Sequence, residues 1–224
     1  PHGGDFDALP RPDAMRRQNP HMHLLEGLLS LWRNTGERRF LLRAEGIFDL
    51  FATRFFQADH GVLGEYYEDR LERAAGVAGD IVEPGHHYEW IWLLRWFERK
   101  TGRPVSSEAE ALYRHADRHG YDEEGLIVDE LLRDGRVHRP SRRTWPVTEA
   151  IKANLVEAVA GRPGAAEKVI ALAGHLHDRF LERAVPGGWM DRLDAQGRAA
   201  TDFMPASTLY HLLCALGELD RVAG

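Results

Sequence analysis

The chain has 224 residues, a hydrophobic content of 43% and a formal net charge of −6. This length and hydrophobic content are enough for one substantial core. It has no block rich in lysine or arginine, so charge argues against a nucleic-acid partner, and no apolar stretch long enough to span a bilayer. The single cysteine, Cys214, excludes an intrachain disulfide and is predicted to be a buried thiol. We expect one domain over residues 1–224 and, since no signal-peptide pattern is visible, a cytoplasmic location.

Four prolines stand close to the start of apolar runs with helical spacing: Pro20, Pro84, Pro146 and Pro205. They are 64, 62 and 59 residues apart, which indicates an internal repeat. A proline fits the first turn of a helix, where no backbone N–H is needed. We therefore predict four inner helices, over residues 21–33, 85–100, 147–160 and 206–219. The second is apolar on nearly every side, which is typical of a helix buried all round.

Three further segments are amphipathic, which predicts outer helices with one face in solvent. They cover residues 37–56, 106–119 and 165–183. Their predicted inward residues are Phe40, Leu41, Ala44, Ile47, Phe48 and Phe51 in the first, Ala109, Leu112, Tyr113 and Ala116 in the second, and Val169, Leu172, Ala173, Leu176 and Phe180 in the third. Turn signals at Asp134-Gly135 and from Asp194 to Gly197 predict short hairpins before inner helices.

The repeat predicts an all-α fold. Each unit of roughly 60 residues would be an inner helix, an outer helix and a hairpin loop, and stacked units of this kind can curl into an α/α toroid. About four helix pairs are expected from the chain. The prolines place the N-termini of all inner helices at one end, together with the short hairpins. A cavity at that end, ringed by side chains from several repeats, is the predicted site.

Each repeat offers polar residues near the start of its inner helix. Asn19 and His23 come from the first, His86 and Glu89 from the second, Trp145 and Glu149 from the third, and Tyr210 and His211 from the fourth. His86 and Glu89 are three residues apart and share a helix face, so they are a candidate proton-transfer unit. Histidines from three different repeats favour acid–base chemistry on a polar, neutral substrate. The aromatic residues Trp145, Tyr88 and Trp189 suit stacking on sugar rings.

Each candidate also has a structural interpretation. His23 and His211 could be histidines of the core, and Glu149 could simply favour its helix N-terminus. Arg142 and Arg143 are interpreted as a solvated loop in preference to substrate ligands. His115 and His119 have the i,i+4 spacing of metal ligands, but on an outer helix and with no cysteine or aspartate to complete a set. We predict that the protein uses no metal and no other cofactor.

Motifs in all four repeats carry a resemblance to a known family. They are Asn19-Pro-His-Met-His23-Leu-Leu-Glu26, Pro84-Gly-His86-His-Tyr-Glu89-Trp90, Trp145-Pro-Val-Thr-Glu149-Ala and Ser207-Thr-Leu-Tyr-His211. The chain resembles the N-acylglucosamine 2-epimerase family, which includes mannose isomerase-type aldose–ketose isomerases and cellobiose 2-epimerase. The resemblance spans essentially the whole chain and implies an (α/α)6 barrel with its site at one open end.

The resemblance also implies a mechanism, in which the sugar ring opens and a proton moves at C2 through an enediol or enolate. On the matching positions, His86 and His211 would be the acid–base pair, and Glu89 would orient His86 or hold a sugar hydroxyl. His23 would assist ring opening or bind the substrate, with Asn19 beside it. Trp145 and Glu149 match a family motif and are assigned to substrate binding.

The chain departs from the family in length. Six helix pairs need roughly 360 residues at this repeat size, so the toroid is expected to be incomplete and to correspond to the C-terminal two-thirds of the family fold. The inner helices at the two ends would each lack a neighbour, which would leave Leu24, Leu28, Leu31, Leu209 and Leu213 facing a gap.

The leading functional prediction is a sugar isomerase of the mannose-to-fructose type. The alternatives are an N-acylglucosamine or cellobiose 2-epimerase, a glycoside hydrolase on an (α/α)6 barrel with Glu89, Glu149 and Asp191 as candidate carboxylates, and a non-catalytic sugar-binding fragment. A small-molecule sugar is the expected partner, and a homodimer is the further association considered.

Overall fold

A computed structural model describes residues 15–182 and 185–223. Within these ranges the protein is mainly helical, with seven α-helices joined by loops and very short strands. The helices are α1 (Asn19–Thr35), α2 (Arg38–Leu50), α3 (Pro84–Thr101), α4 (Ser106–His119), α5 (Thr144–Val159), α6 (Ala165–Leu176) and α7 (Ala206–Ala223). A π-helical turn extends α2 (Phe51–Phe55) and another extends α6 (His177–Leu181). The predicted all-α fold class is confirmed.

The helices form an inner and an outer layer. Inner helix α3 packs against α5, and α5 packs against α7, while α1 contacts α3 less extensively. Outer helices α2, α4 and α6 pack on α1, α3 and α5 respectively. The described residues therefore form three inner–outer pairs followed by a single inner helix, rather than the four pairs expected from the repeat. This arrangement is an incomplete α/α toroid.

Short antiparallel strands cluster where the inner helices begin. The strands are β1 (Arg16–Arg17), β2 (Phe56–Gln57), β3 (Val62–Leu63), β4 (Tyr66–Tyr67), β5 (Ile81–Val82), β6 (Glu130–Leu132), β7 (Val137–Arg139), β8 (Arg142–Arg143) and β9 (Arg192–Leu193). β1 pairs with β4, β2 with β3, β5 with β6 and β7, and β8 with β9. β5 and β8 lead almost directly into α3 and α5, so these strands frame the N-terminal end of the inner layer.

The prolines stand where the repeat predicted them. Pro20 and Pro84 occupy the first turns of α1 and α3, Pro146 is the third residue of α5, and Pro205 directly precedes α7. α3 is buried from Pro84 to Leu94, because it packs between two inner helices and an outer one. Its sequence, apolar on nearly every side from Trp90 to Phe97, predicted a helix buried all round. The repeat thus places the N-termini of the four inner helices at one end of the incomplete toroid, which we call the arc.

Three detailed predictions were wrong. Ala173 on α6 is exposed, because the inward face of that helix is carried by residues such as Leu172 and Phe180. Leu28 is buried in the core, because it lies on the face of α1 that packs inward. Cys214 is only partly buried, because α7 lacks neighbours on one flank.

The two ends of the arc leave apolar surface uncovered. Leu24 and Leu31 on α1 are 43% and 46% exposed, and Leu209 and Leu213 on α7 are 44% and 60% exposed. Four of the five leucines predicted to face a gap are therefore in solvent. In residues 15–182 and 185–223, no helix combines the length and apolar character that a bilayer crossing requires.

Candidate active site

The candidate site lies at the N-terminal ends of the four inner helices. Predicted residues from all four repeats meet there, although they are spread over nearly 200 positions of sequence. The ring of His23 lies 6.2 Å from that of His211, and the rings of His211 and His86 lie 5.4 and 5.0 Å from the indole of Trp145. The repeated placement of these residues within the first two turns of the inner helices is what brings them to one surface.

A carboxylate from a loop holds His86. Its Nδ1 atom lies 2.9 Å from Oε1 of Glu65, and Glu83 is a second acid at 4.0 Å. Burial opposes a charge on this ring, but the negative charges of Glu65 and Glu83 and the hydrogen bond to Glu65 outweigh it and raise the pKa of His86 to about 9. His86 is therefore an imidazolium at neutral pH and can donate protons.

Glu149 holds His211 in a different way. Nδ1 of His211 lies 2.7 Å from Oε1 of Glu149, and Nζ of Lys152 lies 2.8 Å from the other carboxylate oxygen. Burial opposes ionisation of Glu149, but Lys152 and His211 outweigh it, so its pKa is lowered. Because an ionised carboxylate only accepts hydrogen bonds, Nδ1 of His211 carries the proton and Nε2 is left to act on a ligand.

The half-buried indole of Trp145 separates the two histidines. It packs directly on the first turn of α3, where a Cβ atom at Gly85 would lie 2.6 Å from the ring. No real Cβ contact is that short, so glycine at this position is what allows Trp145 to approach. The Arg143 guanidinium lies over the same ring, with its Cζ atom 5.1 Å from the ring centre.

A second group of polar residues surrounds His23. Its Nδ1 lies 3.6 Å from Glu89 and 3.9 Å from Glu26, and Glu26 also accepts a hydrogen bond from the hydroxyl of Tyr210. Burial alone would lower the pKa of His23, but these two carboxylates raise it. A cavity of about 340 Å³ opens beside His23, Glu26 and Tyr210, so this group borders open space between α1 and α7.

Among the acids around His23, His86 and His211, Glu89 is the one whose carboxylate accepts no hydrogen bond from a described residue. Both of its oxygens are buried and without a donor among the described residues. Burial and then the charge of Glu149 raise the pKa of Glu89, so of these two neighbouring acids Glu89 is the one that more readily holds a proton. A buried carboxyl group with this unused capacity is suited to hydrogen bonding with the hydroxyl groups of a ligand.

Ligand atoms sufficient for a metal ion are also present. Three groups at the site have their ligand atoms within 4.8 Å of one another: His23, Glu26 and Glu89; Glu65, Glu83 and His86; and Glu89, Glu149 and His211. A fourth group, His177, Asp178 and Glu182, is exposed and lies outside the site. The predicted pair His115 and His119 is not part of any such group in the described residues. Each of the three groups is already engaged in ion pairs or hydrogen bonds, which account for the histidine orientations without a metal.

Several sequence-based assignments change. Glu65, not Glu89, orients His86, because Glu89 faces His23 from the next turn of α3. Tyr88 is fully buried and donates to the hydroxyl of Tyr121, so it cannot stack on a ligand. Asn19 is half-buried in the first turn of α1.

The arginines before α5 are not a solvated loop. Arg142 is buried and paired with Asp122, and Arg143 lies between Glu83 and Asp129. Arg143 thereby links the strand before α5 to the acid beside His86. Loop contacts of this kind are decided by tertiary packing, so the basic dipeptide alone did not indicate them.

Sequence reasoning missed three residues that shape the site. Glu65 comes from a loop with no recognisable motif, and Gln18, which donates to Glu65 and accepts from the Trp90 indole, precedes the first predicted helix. Lys152 did leave a signal, since it stands three residues after Glu149 inside an apolar run. A lysine at an inward helix position needs a buried acid as its partner.

The fold and the site together define a class of protein: an α/α toroid with a cluster of histidines and carboxylates at the N-terminal end of its inner helices. The sequence matches the N-acylglucosamine 2-epimerase (GlcNAc 2-epimerase) family over residues 4–215. The chain belongs to this family.

Individual relatives agree with this membership. The chain is 36% identical over 209 residues to a mannose-6-phosphate isomerase of Rhizobium meliloti (strain 1021), which covers 90% of the chain and 54% of the relative. Among solved structures, D-mannose isomerase superposes with a TM-score of 0.83 at 20% identity, over 92% of the chain and 56% of that structure. Cellobiose 2-epimerase from Spirochaeta thermophila superposes with a TM-score of 0.76 at 22% identity, over 100% and 55%. The chain thus spans about half the length of the proteins it matches.

Proposed function

We propose that the protein is a sugar isomerase that interconverts an aldose and a ketose, of the mannose-to-fructose type, by proton transfer at C2. The observation that carries the proposal is the contrast between two histidines on the same indole. His86 is held as an imidazolium by Glu65, and His211 is held by Glu149 with Nε2 free to accept a proton. The family's relatives named as mannose and mannose-6-phosphate isomerases support the same reaction.

In the proposed reaction, His211 removes the C2 proton of the open-chain aldose. His86 donates to the oxygen on which negative charge develops, because a charged donor in a buried site stabilises an enediolate strongly. His211 then returns the proton to C1, while the hydroxyl proton on O2 passes to His86, which had given its own proton to O1. C2 becomes the carbonyl of the ketose, and both histidines regain their starting protonation states. His86 is the charged donor, Nε2 of His211 is the acceptor, and the reaction needs both roles.

The remaining residues bind the sugar in this proposal. The unused carboxyl oxygens of Glu89 accept hydrogen bonds from sugar hydroxyl groups, and His23 assists opening of the ring. Trp145 offers an apolar face to the sugar. Asn19 completes the binding group from the first turn of α1.

Glycoside hydrolysis is less well supported. It requires two carboxyl groups placed across the scissile bond. Glu149 is taken up by Lys152 and His211, and Asp191 accepts a hydrogen bond of 2.6 Å from Thr208. Only Glu89 of the three candidates remains available, and the histidines would have no role.

The family also contains 2-epimerases, which share proton removal at C2 and differ in where the proton returns. An epimerase acting on N-acetylglucosamine or cellobiose is therefore the second candidate, and the structural likeness to cellobiose 2-epimerase is the observation that favours it. The cytoplasmic location and a homodimer stay predictions.

The test is turnover in D₂O followed by NMR. D-mannose, D-mannose 6-phosphate, N-acetylmannosamine and cellobiose are each incubated with the protein and with a His211→Asn variant. We expect fructose, or its 6-phosphate, with deuterium entering from solvent, and no turnover by the variant. Glucose, N-acetylglucosamine or an epimerised disaccharide would identify an epimerase instead. Mannose binding without any deuterium incorporation would identify a non-catalytic sugar-binding protein.

A further inference from the structure

Lys152 is the one lysine of the described chain whose side chain is fully buried in the inner layer. It lies on α5, and its side chain is 0% exposed. Its ammonium group is 2.8 Å from Oε2 of Glu149 and 3.8 Å from the centre of the Trp92 ring. Neither the acid–base pair nor the sugar-binding group of the proposed reaction includes this lysine.

A buried ammonium group is costly, so its surroundings must offset the lost hydration. Glu149 and Glu89 supply negative charge, and the Trp92 face supplies a cation–π contact. Burial opposes the charge, but the two carboxylates outweigh it and raise the pKa of Lys152. The lysine is therefore a permanent positive charge at neutral pH.

The charge of Lys152 acts on two neighbouring acids. Glu149 and Glu89 lie within one cluster with His211, and burial of both as carboxylates without a cation would be strongly unfavourable. Lys152 contacts Glu149 directly, which favours the ionised form there and leaves Glu89 as the acid that more readily takes a proton. Lys152 is the largest of the influences that keep Glu149 ionised, so the distribution of charge within the site depends strongly on this contact.

The two oxygens of Glu149 have separate partners. Oε2 faces Lys152, and Oε1 accepts the Nδ1 proton of His211. If Glu149 were protonated, its O–H could donate to Nδ1, and the single proton of a neutral imidazole would then sit on Nε2. That tautomer cannot accept a proton from a ligand at Nε2.

We propose that Lys152 is a positioning residue that keeps Glu149 ionised and thereby selects the tautomer of His211 in which Nε2 is free to act as the base. The link to catalysis rests on the proposed function, but the effect on the tautomer does not. Lys152 itself does not touch the substrate. It acts on His211 through Glu149, whose carboxylate contacts both residues.

The experiment uses protein labelled with ¹⁵N in its histidines, in the wild type, Lys152→Met, Lys152→Arg and Lys168→Met. Lys168 is the matched control, because it is a partly buried lysine paired with Asp117 on the outer layer, away from His211. The ¹⁵N shifts of both ring nitrogens of His211, assigned through the loss of its signals in His211→Asn, report which nitrogen is protonated. The pH dependence of kcat/KM is measured for the same proteins.

We expect Nδ1–H in the wild type, Lys152→Arg and Lys168→Met, and Nε2–H in Lys152→Met. The rate of Lys152→Met should fall by about 100-fold, with its acid limb moved to higher pH because Glu149 must now lose its proton first. An unchanged tautomer in Lys152→Met would overturn the proposal, as would the same change in Lys152→Arg.

Two further outcomes are separated by the design. If Lys152→Met is unfolded by circular dichroism, Lys152→Gln replaces it, since its amide can still donate to Glu149 without a charge, and Nε2–H is again expected. If no protein of the set turns over sugar, the proposed function fails while the shift of the tautomer still tests Lys152.

Discussion

Nδ1 of His86 lies 2.9 Å from Oε1 of Glu65, a residue 21 positions earlier that belongs to a loop and not to any inner helix. This contact is one of the main reasons that the pKa of His86 is raised to about 9. In the proposed mechanism, this contact places His86 on the donor side of proton transfer and leaves His211 as the base.

Replacement of Glu65 by Gln should therefore change the protonation of His86. Without the negative charge, we expect the pKa of His86 to fall from about 9 towards its ordinary value, and the alkaline limb of the rate profile to move to lower pH by a similar amount. An NMR titration of the histidines measures the pKa of His86, and kcat/KM measured against pH locates the alkaline limb. Glu72→Gln, an exposed acid in the same loop region, is the control, and an equal shift in that variant would contradict the assignment.

The same pKa predicts how stability depends on pH. A group whose folded pKa is raised stabilises the fold below its unfolded pKa, so this contribution is complete below about 6.5 and is lost as pH rises through about 9. The loss should reach about 3 kcal/mol. Urea unfolding between pH 6 and 9.5 measures this loss in the free energy of unfolding, and the His86→Asn variant should not show it. His177→Asn, an exposed histidine beside Asp178, should behave like the wild type.

Substitution of Gly85 by Ala should displace Trp145. The added Cβ would lie 2.6 Å from the ring, so the indole must move away from its place between His86 and His211. Displacement of about 1 Å in a catalytic site can cost about 100-fold in rate, and we expect a loss of that order in kcat/KM. Gly46→Ala on the outer helix α2 has open space for its Cβ and should keep full activity.

Metal removal should leave the activity unchanged. Proton transfer between two carbon atoms needs bases and a stabilised oxyanion, and His211 and His86 supply both in the proposed mechanism. Turnover is measured before and after dialysis against EDTA, with the metal content determined in both samples. Loss of turnover that zinc or manganese restores would contradict the mechanism and point to the group of His23, Glu26 and Glu89 as ligands.

The exposed leucines at the ends of the arc should make this chain associate or unfold easily. Contiguous apolar surface on α1 and α7 is typical of a face that another element covers. We expect a longer chain that adds further helix pairs at this gap to be more stable and more active. Leu216, like Leu213, is an exposed leucine of α7, and Ile170 is an exposed residue of the outer helix α6. For the 224-residue chain, sedimentation should show association that decreases in Leu213→Ser with Leu216→Ser, but not in Ile170→Ser. A monomeric, cooperatively folding and fully active 224-residue chain would contradict this prediction.

The architecture was predictable from the sequence because it is written in a repeated local pattern. Prolines at near-constant spacing mark the helix starts, and apolar periodicity separates α3, which is buried all round, from amphipathic outer helices such as α4. The chain therefore specified which helices are inner, and at which end their N-termini lie. Predictions about single helix faces, such as Ala173 and Leu28, failed where neighbouring elements decided burial.

The candidate histidines were also found from the sequence, since His23, His86 and His211 recur near helix starts. Their partners could not be found in the same way. Glu65 reaches His86 from a loop, Glu149 reaches His211 across 62 residues, and Lys152 reaches Glu149 in a fully buried site. Helix position follows from local periodicity, whereas the pKa of a buried group follows from charges a few ångströms away. Only the tertiary structure brings those charges together, and so only it distinguishes the surroundings of His86 from those of His211, the difference on which the proposed acid and base roles rest.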